Sequence, residues 1–218
     1  MSFVIPPWPI YEDDELDAVQ KVLASGRGNY WQGKEGKLFE QEFADWCGAK
    51  YGLCMSNGTI ALELALKACG INMGDEVIVT PRSFLASVAA VVAVGAVPVF
   101  ADVELDSGNI SAETIEKVVT NKTTGIIPVH LGGWPADMPA IMELANKQGI
   151  KVIEDCAQAH GASINGQLVG SFGHAAAFSF CQDKIMSTGG EGGIITTNDD
   201  MVRDIAWSLR DHGRNRER

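Results

Sequence analysis

Between residues 51 and 197 the chain alternates short apolar runs with longer amphipathic segments. The apolar runs predict the strands Tyr51–Met55, Val77–Thr80, Val97–Phe100, Gly125–Val129, Val152–Glu154, Ala175–Phe180 and Gly193–Thr197. The amphipathic segments predict the helices Thr59–Cys69, Phe84–Val94, Ser111–Val119 and Asp137–Gln148. Apolar strands joined by crossover helices indicate an α/β fold with a mainly parallel central sheet and helices on both faces.

The first 36 residues follow a different pattern. Pro6, Pro7 and Pro9 predict an extended arm, and a Gly-rich link follows the first helix. That helix has an apolar face made of Leu16, Val19, Val22 and Leu23. We therefore expect an N-terminal arm and helix over residues 1–36, and one larger domain over residues 37–218.

Charge and composition exclude several classes of function. The chain has 28 acidic and 17 basic residues, a net charge of −11, so we expect no nucleic-acid partner. Four arginines near the end, Arg210, Arg214, Arg216 and Arg218, predict a solvated or partner-facing helix end. The five cysteines form no C-x-x-C pair and fit reduced thiols in a cytoplasmic protein.

No membrane segment is expected. Ser83–Ala101 is uncharged over nineteen residues, but Gly95 and Pro98 interrupt it. A buried helix followed by a short buried strand explains this stretch better than a membrane span does. The chain starts without a basic region followed by an apolar stretch, so no signal peptide is expected.

Three segments carry candidate chemistry, and the first is Ser56-Asn57-Gly58-Thr59. It lies between a predicted strand and a predicted helix. The free N–H groups at a helix start bind anions, and Gly58 would let the backbone approach one. The same residue types also occur in ordinary helix caps, which remains the alternative.

The second segment follows the strand that ends at Glu154. Asp155 would lie at the carboxyl end of a buried strand, where ligands bind in such sheets. A carboxylate there needs a cationic or N–H partner, such as a protonated heterocycle, and Gln158 could reach the same ligand. Cys156 and His160 are spaced as two metal ligands would be, but without a third ligand nearby we expect no metal.

The third segment is the loop that contains Lys184 and the run Gly189-Gly190-Glu191-Gly192-Gly193. A lysine in a partly dry site has a lowered pKa and can attack an aldehyde. Most lysines are simply exposed on the surface, although four glycines in five positions indicate backbone that passes close to something.

Together the three segments offer a phosphate-binding site, a carboxylate that could pair with a ring nitrogen and an amine that could bond to an aldehyde. Phosphate, ring nitrogen and aldehyde are the reactive and binding groups of pyridoxal 5'-phosphate (PLP). The chain resembles the PLP-dependent nucleotide-sugar aminotransferases of the DegT/StrS type, whose large domain has the aspartate-aminotransferase fold (fold type I). The matching stretches, in family order, are SNGTIALELAL, GDEVIVTPRSF, GAVPVFADV, IIPVHLGG, VIEDCAQAHGA, FSF…K…GGEGG and LRDHG.

The resemblance implies a role for each matching residue. Lys184 would bond to the cofactor aldehyde, Asp155 would pair with the pyridine nitrogen, and Gln158 would contact the ring hydroxyl. The phosphate would be bound by Gly58, Thr59 and Ser179. Phe84 would stack on the ring.

The resemblance also implies a reaction and partners. An amino-acid donor, in this family usually glutamate, would give its amino group to a nucleotide-linked keto-sugar. Such amino sugars serve polysaccharide and natural-product biosynthesis. The family implies a homodimer, and its members are longer, with a smaller C-terminal domain that this chain is expected to lack.

Two alternatives remain at this stage. A truncated, non-catalytic relative would keep the fold and act as a binding or assembly module. A nucleotide-binding dehydrogenase would share the sheet class, but it needs G-x-G-x-x-G after the first strand, and the sequence has none there.

Overall fold

The computed structural model describes residues 7–215. Its strands are β1 Tyr51–Met55, β2 Glu76–Val79, β3 Val97–Phe100, β4 Thr123–Ile127, β5 Lys151–Asp155, β6 Ser163–Ile164, β7 Gln167–Leu168, β8 Ala175–Ser179 and β9 Gly193–Thr197. Its helices are α1 Asp13–Ser25, α2 Glu35–Cys47, α3 Gly58–Ala68, α4 Ala86–Ala93, α5 Ala112–Glu116, α6 Met138–Gln148 and α7 Asp200–Arg210.

Seven strands form the central sheet in the order β1–β9–β8–β5–β4–β2–β3. The pairs β8–β5, β5–β4, β4–β2 and β2–β3 are parallel. Strand β9 alone in this sheet runs the other way, antiparallel to both β1 and β8. The predicted α/β fold with a mainly parallel sheet is therefore confirmed.

Neighbouring residues of one strand pack on opposite faces of the sheet. In β2, Val77 and Val79 belong to the cluster that packs on α3 and α4, whereas Ile78 belongs to the cluster around α6. All three are fully buried. Helices on both faces explain why these strands are apolar throughout instead of alternating with polar residues.

A third cluster covers the end of the sheet beside α2. Its core is aromatic: the ring centroids of Phe43 and Phe178 lie 4.9 Å apart, and those of Phe43 and Phe180 lie 5.4 Å apart, in edge-to-face geometry. These contacts fix the end of β8, from which the loop to Lys184 departs.

The uncharged stretch after residue 82 folds as α4, a turn at Gly95 with φ +83°, and β3. In residues 7–215, no helix is both long enough and apolar enough to cross a bilayer. The expectation that β3 is buried was wrong. It lies at the edge of the sheet, where Val97 and Phe100 are each about half exposed.

The N-terminal segment differs from its prediction in how its helix packs. Leu16, Val19 and Leu23 of α1 are more than half exposed, and α1 has no buried residue. The spacing of apolar residues predicted an apolar face on α1, but it could not show whether another part of the protein covers that face. The expected boundary after residue 36 falls inside α2, and Pro6 lies outside the described residues.

The four arginines predicted a solvated or partner-facing helix end, and the solvated alternative was wrong for Arg210. Its side chain is only 15% exposed and pairs with Glu40 of α2. Arg214 pairs with Asp211 and lies over the Trp31 ring. Arg216 and Arg218 lie outside the described residues.

Candidate active site

The carboxyl ends of the parallel strands meet at one edge of the sheet. Because β9 is antiparallel to both of its neighbours, β1 and β8 point the same way as β5, β4 and β2. Asn57 follows β1, Asp155 ends β5 and Ser179 ends β8. All three therefore lie at the edge where ligands bind in open α/β sheets.

A cavity of about 350 Å³ opens at this edge. It is lined by all of the predicted site residues: Gly58, Thr59, Phe84, Asp155, Gln158, Ser179 and Lys184. Cavities of about 780 and 840 Å³ lie elsewhere, so size alone would not locate this site. This cavity differs from the larger ones because polar groups from distant parts of the chain meet in it. The role of each of these groups is still a prediction.

The start of α3 supplies backbone N–H groups to the cavity wall. The Asn57 side chain accepts from the N–H of Ile60 at 2.9 Å, and the Asn57 carbonyl accepts from the N–H of Ala61 at 3.1 Å. The N–H groups of Gly58 and Thr59 precede the first intrahelical bond and have no acceptor within α3. With no acidic residue in the first turn, this helix start favours an anion.

Two glycines let the start of α3 approach the sheet closely. A Cβ atom on Gly58 would lie 2.7 Å from the Cβ of Ser179, and one on Gly193 would lie 2.4 Å from the Asn57 carbonyl oxygen. Both distances are shorter than any ordinary contact. The Ser179 hydroxyl therefore lies beside the free N–H groups of α3, and one anion can contact both.

Asp155 is 5% exposed and has a hydrogen bond on each carboxyl oxygen. The Ser87 hydroxyl donates to Oδ2 at 2.6 Å, and the N–H of Ala157 donates to Oδ1 at 3.1 Å. Burial raises the pKa of Asp155, while these two hydrogen bonds and the charges of His130 and Lys184 act in the opposite direction. A cationic ligand beside Asp155 would lower this pKa and favour the carboxylate.

Lys184 lies in the loop after β8, with its side chain 16% exposed. Its Nζ is 3.4 Å from Oδ2 of Asp183, which is mostly exposed. The N-terminal arm contacts this loop twice: Trp8 Nε1 donates to the Lys184 carbonyl at 3.1 Å, and the hydroxyls of Tyr11 and Ser187 lie 3.2 Å apart. The arm therefore helps to hold the lysine loop at the cavity.

Gln158 and Phe84 complete the wall. The Gln158 Oε1 accepts from the N–H of Gly132 at 2.8 Å, which fixes the amide and leaves its NH2 group to donate to a ligand oxygen. Phe84 is 71% exposed although it is a large apolar side chain. Its position at the cavity suits a ring that covers a flat ligand.

Two serines that connect Asp155 to the cavity wall were not predicted from the sequence. Ser87 is completely buried in α4, and its hydroxyl lies 2.6 Å from that of Ser83, which lines the cavity. A signal was present, because Ser87 is the only polar side chain in a helix otherwise made of Ala and Val. Asp183 and Glu191 also line the cavity and were not singled out as site residues.

His130, Glu154 and Cys156 form a buried group that could be mistaken for a metal site. Glu154 accepts from His130 Nε2 at 3.1 Å and from three backbone N–H groups of residues 170–173. The other ring nitrogen of His130 accepts from the N–H of Ala136. The donor atoms of this histidine and this carboxylate are already used within the protein.

Known proteins resemble the chain over nearly its whole length. The DegT/DnrJ/EryC1/StrS aminotransferase family model matches residues 9–218. A UDP-N-acetyl-3-dehydro-alpha-D-glucosamine 3-aminotransferase of Acidithiobacillus ferrooxidans is 46% identical over 201 residues, 92% of this chain and 54% of that protein. An aminotransferase structure from Psychrobacter cryohalolentis matches with TM-score 0.96 at 56% identity, over 97% of this chain and 53% of that chain.

A further structure, NtdA from Bacillus subtilis with bound cofactor PMP, matches with TM-score 0.82 at 31% identity, over 90% of this chain and 45% of that chain. The chain thus spans about half the length of the proteins it matches. The dehydrogenase alternative fails, because the matching family is one of aminotransferases. The family model matches every segment that lines the cavity. Because this match covers nearly the whole chain, the chain belongs to the DegT/DnrJ/EryC1/StrS aminotransferase family.

Proposed function

We propose that this chain is the cofactor-binding part of a sugar aminotransferase that uses PLP. It would move an amino group from an amino acid to a nucleotide-linked keto-sugar. The observation that carries the proposal is the single cavity where Lys184, Asp155 and the start of α3 meet. Family membership supports the reaction class, and the relative named for a UDP-linked dehydro-sugar supports the substrate class.

The residues present fit PLP group by group. The phosphate suits the free N–H groups of Gly58 and Thr59 and the hydroxyl of Ser179. The protonated ring nitrogen suits Asp155, whose buried carboxyl lacks a cationic hydrogen-bond partner among the described residues. NtdA has bound PMP, the amine form of the same cofactor, which supports PLP as the cofactor of this chain.

The remaining groups of PLP are an aldehyde, a ring hydroxyl and a flat ring face. Lys184 would bond to the aldehyde, and the free NH2 group of Gln158 would donate to the hydroxyl. Phe84 would cover the ring face, which would bury its exposed side chain and exclude water.

Bound PLP would supply an electron-accepting ring and a carbonyl that exchanges amines. The protein's residues would do the rest. Asp155 would keep the ring nitrogen protonated through its negative charge. The amine of Lys184, when not bonded to the cofactor, would remove a proton from the amine-bearing carbon of the substrate and give it to the former aldehyde carbon of PLP, acting first as base and then as acid.

The finer parts of the proposal rest on the family resemblance. Glutamate is the proposed amino donor, and amino sugars for polysaccharides or natural products are the proposed products. Residues 37–218 are the proposed cofactor-binding domain, and a homodimer is the proposed assembly. The described cysteines are all free thiols, which supports the cytoplasm as the compartment.

The test is the visible absorption spectrum of the purified chain after PLP is added. We expect the wild type to shift the visible absorption band of PLP to that of PLP bonded to an amine, and Lys184→Ala to show only the spectrum of unbonded PLP. Lys122→Ala, which changes an exposed lysine far along the chain from the loop, is the matched control and should behave as wild type. A wild type that leaves the PLP spectrum unchanged would contradict the proposal.

A non-catalytic binding or assembly module with the same fold is the second candidate. The two candidates differ in turnover. The first predicts amino sugar when the PLP-loaded protein receives glutamate and UDP-linked keto-sugar. The second predicts a folded protein that forms no product.

A further inference from the structure

Two serine hydroxyls connect the Asp155 carboxylate to the cavity wall. Ser87 is 0% exposed, and its Oγ lies 2.6 Å from Oδ2 of Asp155. Ser83 lies four residues earlier, before the start of α4, with its Oγ 2.6 Å from that of Ser87. Both distances are short for hydrogen bonds between hydroxyl and oxygen groups.

The chemistry of the carboxylate fixes the direction of both hydrogen bonds. An ionised Asp155 only accepts, so Ser87 must give it its single hydroxyl proton. Ser87 then has only lone pairs for Ser83, and Ser83 must be the donor of the second bond. Hydrogen bonds that run head to tail in this way strengthen one another.

Ser87 is the second residue of α4, so no carbonyl of its own helix lies one turn earlier. Its hydroxyl instead reaches across to β5, sixty-eight residues further along the chain. Asp155 is the strand-end carboxyl that the proposed function places against the ring nitrogen of PLP.

We propose that Ser87, oriented by Ser83, is a positioning residue that holds Asp155 as a carboxylate aimed at the cofactor's ring nitrogen. This inference rests on the proposed function. Ser87 itself does not line the cavity, so it would act only through Asp155. Without its hydroxyl, Oδ2 of Asp155 would be buried with no donor, which disfavours the charged form.

The test compares two ligands that differ only at the ring nitrogen: PLP, and its deaza analogue in which a C–H group replaces that nitrogen. Dissociation constants come from absorbance titrations of the whole chain. For Ser87→Ala we expect PLP to bind about tenfold more weakly, because a hydrogen bond to a charged group is lost. The affinity for the deaza analogue should change less than about twofold, because it has no ring N–H for Asp155 to bind.

Three further variants distinguish the positioning of Asp155 by Ser87 from a general loss of packing in α4. Ser87→Thr keeps a hydroxyl and should restore most of the PLP affinity. Ser83→Ala should show the same ligand preference as Ser87→Ala, but more weakly. Val91→Ala removes buried volume from the same helix but keeps both serine hydroxyls, and should not discriminate between the two ligands.

The outcomes are distinct. If Ser87→Ala weakens both ligands equally, as expected for Val91→Ala, or weakens neither, Ser87 is a packing residue and the inference is overturned while the proposed function stands. If the wild type binds no PLP, the proposed function fails and the inference falls with it.

Discussion

Asp155 is the residue at which folding stability and ligand binding oppose each other. Burial raises its pKa above the ordinary value of 3.8, so folding favours the neutral acid. Neutral Asp155 therefore stabilises the protein at low pH, and this contribution is lost as the pH rises through the raised pKa. At neutral pH the buried carboxylate destabilises the cofactor-free protein, and the proposed cationic ring would compensate its charge.

We expect Asp155→Asn to melt at a higher temperature than wild type at neutral pH when both are cofactor-free. The amide removes the buried charge but can still accept from the N–H of Ala157. The difference should grow with pH and vanish below the ordinary pKa of 3.8. Calorimetry across this pH range measures it.

The same variant should bind PLP at least about tenfold more weakly, since it cannot neutralise the protonated ring. An absorbance titration checks this loss. A variant that melts lower than wild type at every pH, or that binds PLP with unchanged affinity, would contradict the role given to Asp155.

At Gly58 the site depends on the absence of a Cβ atom. We expect Gly58→Ala to cost about 1–3 kcal/mol of unfolding free energy, because the added Cβ would lie 2.7 Å from that of Ser179. It should also weaken phosphate binding by moving the start of α3 away from β8. Urea denaturation and a titration with PLP measure the two effects.

Gly28→Ala is the matched control for this substitution, because a Cβ there would meet nothing within 4 Å. It should leave both stability and PLP affinity close to wild type. Equal behaviour of the two variants would show that the start of α3 is not tightly packed against the sheet.

At the scale of elements, Glu40 joins four parts of the chain. Its carboxylate accepts from the N–H of Cys54 in β1 at 2.8 Å and from the Tyr30 hydroxyl of the link at 2.9 Å. It also pairs with Arg210 of α7, whose guanidinium lies 4.3 Å from the centre of the Tyr30 ring. This network ties α2, β1 and α7 to the link that follows α1.

We expect Arg210→Met to lower the free energy of unfolding by about 1–3 kcal/mol, because it removes a charged hydrogen bond from a mostly buried carboxylate. Lys117→Met, which breaks the exposed Glu113–Lys117 pair, is the control and should change stability too little to measure. Chemical denaturation of both variants is the measurement, and equal stabilities would contradict this role for Arg210.

Local sequence patterns predicted the strands well because helices cover both faces of the sheet. A strand such as β2 must then be apolar at successive positions, and that signal is contained within the strand itself. The hairpin of β6 and β7 was missed, since two residues per strand are too few to show a period. The exposure of Leu16 and Leu23 in α1 was missed because it depends on distant contacts.

At the scale of the whole molecule, the site is a product of topology. The sheet order brings the ends of β1, β5 and β8 to one edge, and the family motifs had already marked the residues there. Contacts between distant segments had no local signature. The Trp8 hydrogen bond to the Lys184 carbonyl spans 176 residues, and no pattern around either residue indicates it.

The central claim is that one lysine, at the rim of this cavity, bonds to PLP. The most direct measurement is borohydride reduction of the chain with PLP, followed by proteolysis and mass mapping of the ten lysines. We predict that the cofactor mass is found on Lys184 and that prior addition of excess inorganic phosphate reduces it. Label spread over the surface lysines, with Lys184 unmodified, would contradict the claim.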